Sequence, residues 1–309
     1  MRFSTKAISA LVGVTLLTSL AACSTPPADT PSTDPTTEEG TFAKNSDTLV
    51  FAVLPDHEGA DQDAQPFADY IAAVTGLTVE FYPAVDYVAV IQGLASGQID
   101  IAQISAFTYF QSQNAGADIE PIAAQVTKEG AEAGYYSVAL ANPAWTGSTL
   151  KDFAGEEVCF VNPSSTSGYL VPSGSLDAAG VPTTDVTPVF KDKHDLSAEA
   201  ISRGEECMIG FAQDIDADPY TTAGTLKEVS RVLVPAAPIA LQAGLPASLK
   251  ATLFGALQGM TQADFGKHGI AMNDFIQGGW FGYQAVDDAY YQSIRDLCAA
   301  LPDVDNCKS

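Results

Sequence analysis

The sequence predicts an α/β fold organised as two lobes. Apolar runs typical of strands alternate with segments of helical period along most of the chain, which is the pattern of α/β lobes with largely parallel sheets. With 309 residues, the chain is long enough for a sizeable core and favours two lobes over one. Ligands in such folds lie beyond the carboxyl ends of the strands, often between lobes.

Residues 1–22 have the composition of an export signal. Arg2 and Lys6 precede an apolar run that is too short to span a bilayer. Small residues typical of a signal-peptidase site then lead directly into Cys23. This order resembles a bacterial lipobox, which implies cleavage before Cys23, a lipid such as palmitate on its sulfur, and an extracytoplasmic protein anchored to the cell membrane. The alternative is a secreted protein with an unmodified Cys23.

The segment that follows is predicted to be a tether. Residues 24–47 are rich in Pro, Thr, Ser and acidic residues and contain almost no large apolar side chains. Such a segment cannot bury enough surface to fold. We therefore expect a lipid-anchored disordered linker over residues 23–47 and a folded body from residue 48 onward.

The folded body is predicted to start with a strand and to alternate from there. β-branched and aromatic runs predict strands at 48–55, 77–82, 99–104, 119–126, 135–141, 157–161, 186–190 and 208–211, with a short strand from 239. Apolar residues at helical spacing predict helices at 67–74, 86–94, 106–115, 169–179, 246–262 and 288–301. Gly76 marks the end of the first of these helices.

The charge balance restricts the partners. The net charge is −24, and loss of the leader removes only positive charges. Such a body is unsuited to nucleic acid or anionic lipid headgroups. An anionic ligand would instead be held by local dipoles and hydrogen bonds.

Four cysteines follow Cys23, an even number that indicates disulfides in an exported protein. Three pairings are possible. Two of the cysteines lie in strand-like runs of one region and two bracket the end of the last helix, so we predict Cys159–Cys207 and Cys298–Cys307. Free buried thiols are the alternative. The chain has no Cys-x-x-Cys or His-x-x-His spacing, and we expect no metal and no cofactor.

A run of hydroxyl side chains stands at a predicted strand-to-helix junction. Ser165, Thr166, Ser167 and Gly168 follow the strand at 157–161 and precede a helix. The first turn of a helix has unpaired N–H groups and a positive dipole end, which together suit a small oxyanion. An ordinary Ser/Thr N-cap is the alternative.

Several segments together resemble one known family. They are residues 54–56, 85–94, 96–103, 134–138, 165–172 and 193–195. Over residues 48–290 the chain resembles the phosphonate/phosphite-binding proteins of ABC importers. The resemblance implies a bilobal periplasmic-binding-protein fold of type II-like architecture, with a ligand cleft between two α/β lobes. We expect lobe 1 at 48–140 plus 234–309 and lobe 2 at 141–233.

The resemblance also implies roles for individual residues. The hydroxyls of Ser165, Thr166 and Ser167 would hold the phosphorus oxygens, and His194 would donate to them. Tyr87 and either Tyr135 or Tyr136 would supply hydroxyls and aromatic walls, and Asp214 would accept a proton or orient a donor. Taken alone, the same residues also fit an exposed loop histidine, packing tyrosines and a helix N-cap.

One departure bears on the ligand. Where family members that bind aminoalkylphosphonates carry an acid, this chain has Ala237. The expected ligand is therefore an amine-free phosphorus oxyanion, either phosphite or a short phosphonate. The protein would capture it and deliver it to an ABC permease and its ATPase by closing two lobes around it.

Three other functions compete with this prediction. A hydrolase could use Ser165, His194 and an aspartate, but the chain has no Gly-x-Ser-x-Gly elbow, so we expect no enzyme. A metal receptor could use the acidic residues at 56–63, which lack calcium-loop spacing and are interpreted as a solvated helix start. A sensor or accessory lipoprotein of the same fold, or a receptor for another small ligand, stays open.

Overall fold

Two β-sheets organise the part of the chain that the computed structural model describes, residues 40–308. The predicted leader and the lipidation site Cys23 lie outside the described residues. The last part of the predicted linker does not stand free of the body. Thr41 N–H donates to the carbonyl of Gly244 at 2.8 Å, and Ala43 N–H donates to Asp100 Oδ1 at 2.8 Å. The chain is therefore hydrogen-bonded to the folded body before residue 48. Composition could not predict this, because it does not show which backbone groups are paired.

Strands and helices alternate as follows. The strands are β1 (Thr48–Val53), β2 (Thr78–Phe81), β3 (Ile101–Gln103), β4 (Ile119–Val126), β5 (Tyr135–Ala141), β6 (Glu157–Phe160), β7 (Thr187–Phe190), β8 (Ile209–Gln213), β9 (Lys227–Val234), β10 (Pro238–Gln242) and β11 (Gly282–Ala285). The helices are α1 (Ala60–Asp63), α2 (Gln65–Thr75), α3 (Tyr87–Ala95), α4 (Ala106–Asn114), α5 (Val171–Ala178), α6 (His194–Arg203), α7 (Asp214–Thr222), α8 (Ala247–Leu257), α9 (Gln262–Lys267), α10 (Asp274–Gly279) and α11 (Gln292–Ala300).

The two sheets are mixed. The first has six strands in the order β11-β4-β10-β3-β1-β2, and the second has five in the order β7-β6-β8-β5-β9. The pairs β1–β2, β1–β3, β6–β7 and β6–β8 are parallel, whereas β4, β5, β9, β10 and β11 pair only in the antiparallel sense. The prediction of largely parallel sheets was wrong. In each sheet the parallel pairs lie at one side and the antiparallel pairs at the other.

The chain crosses between the sheets twice, at residues 127–134 and 235–237. The Tyr290 hydroxyl ties these crossings together, since it donates to the Ala133 carbonyl at 2.8 Å and accepts from Ala236 N–H at 3.1 Å. The strand β9 ends at Val234, just before the second crossing, and β5, which follows the first crossing, pairs with β8 and β9 of the second sheet. The lobe boundaries expected at 140 and 234 stay predictions.

Helices cover both faces of each sheet. On the six-stranded sheet, α2, α8 and α9 enclose one core, and α3, α4 and α11 enclose another. On the five-stranded sheet, α5 packs against one face, and α6 and α7 pack against the other. Among residues 40–308, none of the helices is both long and apolar enough to cross a membrane.

Some predicted elements change length or number. The helix predicted at 246–262 stops at Leu257, because Gly259 adopts a positive φ of 82° that breaks the helix. The separate helix α9 then starts at a capping box formed by Thr261 and Asp264. The strand β9 was not predicted, because its charged and exposed side chains hide the alternation of an edge strand.

The structure brings both predicted cysteine pairs together. The Cα atoms of Cys159 and Cys207 are 5.7 Å apart, and those of Cys298 and Cys307 are 5.0 Å apart. Both distances lie within the range of disulfides. Cys159 lies in β6 and Cys207 lies two residues before β8, whereas Cys298 lies in α11 and Cys307 in the turn at residues 305–307.

Candidate ligand-binding site

Three consecutive hydroxyl residues form a buried turn behind β6, here called the hydroxyl cradle (Ser165, Thr166 and Ser167). A π-helical turn begins at Thr166 and continues directly into α5. Ser165 Oγ accepts from Gly168 N–H at 3.0 Å as an N-cap. Because the helix begins here, the N–H groups of Thr166 and Ser167 have no intrahelical acceptor, and the positive end of the helix dipole lies at the cradle.

The three cradle residues differ in the hydrogen bonds that they already make within the protein. Thr166 Oγ1 accepts from Phe107 N–H at the start of α4, at 2.8 Å. Ser167 is fully buried, yet its Oγ has no hydrogen-bond partner within residues 40–308. The Ser167 carbonyl is fixed by the Ser137 hydroxyl at 2.7 Å. Leaving a buried hydroxyl unpaired costs about 1–3 kcal/mol, so Ser167 has a donor and an acceptor available for a ligand.

His194 is the first residue of α6 and is 2% exposed. Its Nδ1 accepts from Gln213 N–H at 2.9 Å, which assigns the ring proton to Nε2. That Nε2 faces Ser165 Oγ at 3.4 Å. Burial lowers the pKa of His194 to about 4, although the charge of Asp56 opposes the shift. The ring is therefore a neutral donor at pH 7, and the interpretation as an exposed loop histidine was wrong.

Two of the three candidate tyrosines lie against the cradle. The hydroxyl of Tyr87 lies beside Ser165, and the hydroxyl of Tyr135 lies beside Ser167 and Thr166. Burial raises the pKa of both phenols, so each hydroxyl keeps its proton.

Tyr136 follows Tyr135 on β5 and takes a different environment. It is 39% exposed and lies under the guanidinium of Arg231, 5.5 Å from the ring centroid. Successive strand residues point to opposite faces, which separates the two side chains. Between the two tyrosines that the sequence left open, the structure therefore puts Tyr135 at the cradle.

A charged pair that sequence reasoning interpreted as a solvated helix start lies beside the cradle. His57 is held between Asp56 Oδ1 at 2.8 Å and Asp63 Oδ2 at 3.1 Å, and it stacks on Phe275. Burial alone would lower the pKa of His57, but the hydrogen bond and charge of Asp56 raise it to about 9. Burial likewise opposes ionisation of Asp56, yet His57 lowers the net pKa of that carboxyl. The site therefore holds an ionised Asp56 next to a protonated His57.

A cavity of about 520 Å³ opens between residues of the two sheets. Asp56 and Tyr135 form part of its wall, whereas the cradle hydroxyls lie buried and do not line it. Asp214, at the start of α7, and Ala237, in the second crossing, also line the cavity. Burial raises the pKa of Asp214, while its hydrogen bond from Tyr136 N–H opposes the shift.

Gly168 is required by packing. A Cβ atom there would lie 2.4 Å from Val161 Cβ and 2.9 Å from Ser165 Oγ. Gly168 is thus in close contact with Val161, directly after β6, and with the cradle. The small residue lets the helix start lie against the strand end.

Of the predicted site residues, six converge: Tyr87, Tyr135, Ser165, Thr166, Ser167 and His194. Tyr136 and Asp214 line the cavity without a recorded contact to a cradle hydroxyl. Sequence reasoning missed Asp56, His57 and Arg231. The position of Asp56 just after β1, at the carboxyl end of a parallel strand, was the signal that could have found it.

Known proteins resemble this chain in sequence and in fold. Residues 51–291 match the family described as the periplasmic substrate-binding protein of the phosphonate ABC transporter. A curated relative, the phosphate-import protein PhnD of Mycolicibacterium smegmatis, is 35% identical over 183 residues. That match spans 56% of this chain and 57% of the relative, so it covers little more than half the length of either protein.

Solved structures show the same fold. A binding-protein component of an ABC phosphonate transporter from Pseudomonas aeruginosa superposes with a TM-score of 0.71 at 23% identity, covering 84% of this chain and 87% of that one. PhnD1 from Prochlorococcus marinus, solved in complex with methylphosphonate, gives a TM-score of 0.69 at 16% identity, covering 84% and 99%. At these identities the likeness shows the bilobal type II-like fold.

Proposed function

The chain belongs to the family of periplasmic substrate-binding proteins of phosphonate ABC transporters, and from that premise we propose that it captures a small phosphorus oxyanion at the hydroxyl cradle. It is a binding protein of an ABC importer, so its partners are a permease and an ATPase. The observation that carries the ligand proposal is the unpaired, fully buried hydroxyl of Ser167 at a helix start. The proton on His194 Nε2 supports the same assignment.

The donors around the cradle match the oxygens of a phosphonate or phosphite. Two N–H groups of the helix start, the hydroxyls of Tyr87 and Tyr135, and neutral His194 all have hydrogens to donate. Donors to an oxyanion form charge-assisted bonds, which are about twice as strong as neutral ones. Because no side-chain cation touches the cradle hydroxyls in the described part of the chain, the ligand would be held by dipoles and hydrogen bonds.

The carboxylate of Asp56 favours hydrogen phosphate as a second candidate. Asp56 stays ionised next to His57, and its charge acts on Tyr87, Tyr135 and His194. A carboxylate can accept a proton from an oxyanion that carries P–OH, whereas it repels an unprotonated oxygen. Ala237 in the cavity wall supplies no counter-charge for an amine at that position. The name of the Mycolicibacterium relative, a phosphate-import protein, supports testing this candidate.

The ligand would enter by separation of the two lobes about the two crossings. We propose lobe 1 as the six-stranded sheet with its helices and lobe 2 as the five-stranded sheet with its helices. Backbone contacts join them beside the cradle, where His194 N–H donates to the Asp56 carbonyl at 2.8 Å and Glu58 N–H donates to Asp195 Oδ2 at 3.1 Å. The ligand stabilises the closed form only through contacts it gains there.

We propose no catalysis at Ser165. His194 Nδ1 is occupied by a backbone N–H, so Nε2 donates to Ser165 and cannot remove its proton. Within residues 40–308, no carboxylate accepts from a ring nitrogen of His194 in the way a triad requires. Incubation with p-nitrophenyl phosphate and p-nitrophenyl acetate should release no nitrophenol above background.

The remaining assignments concern export and covalent structure. We propose lipidation at Cys23 and disulfides at Cys159–Cys207 and Cys298–Cys307. Intact-mass measurement of membrane-extracted protein should show an acylated N-terminal cysteine and a mass lower by four hydrogens than the fully reduced chain. A Cys23→Ser variant should appear in the soluble fraction.

Titration calorimetry tests the ligand proposal. The purified protein is titrated with phosphite, methylphosphonate, phosphate, 2-aminoethylphosphonate and sulfate. Tight binding of phosphite or methylphosphonate that is lost in Thr166→Val supports the first candidate, and preference for phosphate that is lost in Asp56→Asn supports the second. Binding of 2-aminoethylphosphonate above all others would overturn the reasoning from Ala237.

A further inference from the structure

We propose that Asn306, held in place by the Cys298–Cys307 pair, is a positioning residue for the hydroxyl cradle. The segment that carries it is called here the clamp segment (residues 301–308). This inference rests on the proposed function, because it concerns the affinity of the cradle for an oxyanion. It assigns a role in ligand binding to residues that lie outside the cleft.

Asn306 contacts the loop that leads into the cradle. Its Nδ2 donates to the Pro163 carbonyl at 3.0 Å and to Ser164 Oγ at 3.3 Å. The backbone carbonyl of Asn306 accepts from Gln111 Nε2 of α4 at 3.4 Å. Through its side-chain amide and its backbone carbonyl, Asn306 thus connects the cradle loop of the five-stranded sheet to helix α4 on the six-stranded sheet.

The loop residue that Asn306 contacts directly precedes the cradle. Ser164 N–H donates to Asn162 Oδ1 at 3.0 Å, and the Ser164 carbonyl accepts from Thr108 Oγ1 at 3.2 Å. Asn306 adds the third contact, to the Ser164 side chain. Because Ser165 follows in the chain, a shift of Ser164 moves the N-cap and the donors behind it. A loop held before the ligand arrives binds more tightly than one that must be ordered by the ligand.

The clamp segment has few other means of holding Asn306. Residues 302–308 contain no strand, and their own backbone hydrogen bonds form only a turn at 302–303 and a short 3-10 turn at Asp305–Cys307. Val304 and Leu301 are buried in the same apolar cluster as Leu170, which ends the π-helical turn of the cradle. Beyond these two side chains, the link from Cys298 on α11 to Cys307 fixes the residue next to Asn306. The pair therefore determines where the Asn306 amide lies.

The experiment is a thermodynamic cycle on ligand affinity in the full chain. Calorimetry with phosphite, methylphosphonate and phosphate compares wild type, Asn306→Ala, the double variant Cys298→Ser/Cys307→Ser, and the triple variant. Loss of the positioning contacts should weaken binding roughly 3- to 30-fold in the first two variants. The triple variant should be no weaker than the weaker of these two, because both changes remove the same contacts.

A control and a local readout separate positioning from general stability. Lys308→Ala changes the same segment but removes only an exposed ion pair with Asp305, so its affinity should equal that of wild type. Hydrogen exchange of the ligand-free Asn306→Ala protein should speed up at the amides of residues 164–168, while β1 and β8 exchange as in wild type. This localised change is not expected from a substitution that destabilises the whole fold.

The outcomes are distinguishable. Wild-type affinity in Asn306→Ala, or additive losses in the triple variant, would overturn the positioning role while leaving the proposed function intact. Faster exchange throughout the protein would also overturn it, since Asn306 would then be a general structural residue. If wild type itself binds none of the three oxyanions, the proposed function fails first and the inference falls with it.

Discussion

Replacing Ser167 by alanine should weaken ligand binding without destabilising the protein. Most buried serines would lose a hydrogen bond in this substitution, but Ser167 Oγ has no partner in the described part of the chain. The Tyr135 hydroxyl lies close enough to Ser167 for a side-chain hydrogen bond to oppose the effect of burial on the tyrosine pKa, but the two groups do not reach the geometry of a normal hydrogen bond. The substitution therefore removes a polar atom that has no well-formed partner in the ligand-free protein.

The expected magnitudes follow from this difference. A hydrogen bond to a charged group contributes about 1.5–3 kcal/mol, so affinity for the preferred oxyanion should fall roughly 10- to 150-fold. In the ligand-free protein, removal of an unpaired buried hydroxyl should change the free energy of unfolding by between zero and a gain of about 1 kcal/mol. For a body of this size such a gain raises Tm by roughly 2–4 °C.

Two measurements and one control make the test. Calorimetry gives Kd for phosphite and phosphate, and thermal unfolding without ligand gives Tm. The control is Ser173→Ala, on the helix that continues from the cradle. Ser173 is also fully buried, but its hydroxyl donates to the Tyr169 carbonyl at 2.7 Å. The control should lose stability, by about 1 kcal/mol for the lost hydrogen bond, and keep its affinity.

Ser167→Ala should therefore lose affinity and keep its stability, whereas Ser173→Ala should lose stability and keep its affinity. If Ser167→Ala binds as tightly as wild type, the ligand does not contact the cradle at this position and the assignment is refuted. If Ser167→Ala instead unfolds several degrees below wild type, its hydroxyl has an intramolecular partner, and the argument from an unpaired group is wrong.

Three further predictions concern packing, pH and crosslinking. Gly168→Ala would put a Cβ atom 2.4 Å from Val161 Cβ, so we expect a loss of about 1–3 kcal/mol in urea unfolding together with weaker ligand binding; an unchanged midpoint would contradict the close contact. The pKa of His57 is raised from 6.5 to about 9, so its stabilisation is fully present below pH 6.5 and is lost as pH rises through 9. Wild type should exceed His57→Gln in stability by on the order of 3 kcal/mol at pH 6, and a difference that persists at pH 10 would exclude this cause. The Cys159–Cys207 link closes a sequence separation of 48 residues, so its double serine variant should lose about 4 kcal/mol on the chain-entropy model, and equal unfolding midpoints with and without reductant would show that the bond does not form.

The alternation of elements was predictable because it depends on local patterns. The helix α2 has a buried face at helical spacing and ends at Gly76 in the left-handed conformation, as the sequence indicated. The strands β4 and β5 were predicted with their observed bounds, since their apolar residues are nearly continuous. The sense of strand pairing was not predictable in this way, because β10 pairs in the antiparallel sense with strands that lie more than a hundred residues earlier in the chain.

The site was predictable in part. The hydroxyl cradle and His194 could be located because the chain shows consecutive hydroxyls at a strand-to-helix junction and because it resembles a family with residues of known role. Choosing between Tyr135 and Tyr136 required knowing on which face of β5 each side chain lies. Recognising the importance of Asp56 required knowing which residues surround it in the fold. His57 reads as an ordinary loop residue until the fold brings Asp56 and Asp63 to its two ring nitrogens.

The sequence by itself was enough to predict the α/β class and to locate the hydroxyl cradle, because both depend on residue type and local spacing; the leader, the lipobox and the two disulfides stay predictions. The tertiary structure decided the mixed sheets, the two crossings, the neutral state of His194 and the charged state of His57. The sheets, the crossings and the state of His194 depend on burial and on partners that are distant in the chain, whereas the charge on His57 depends on burial and on the nearby Asp56 and Asp63, and pKa values respond to both influences. It also placed Asn306 against the cradle loop, a contact between residues more than 140 positions apart that no local pattern records.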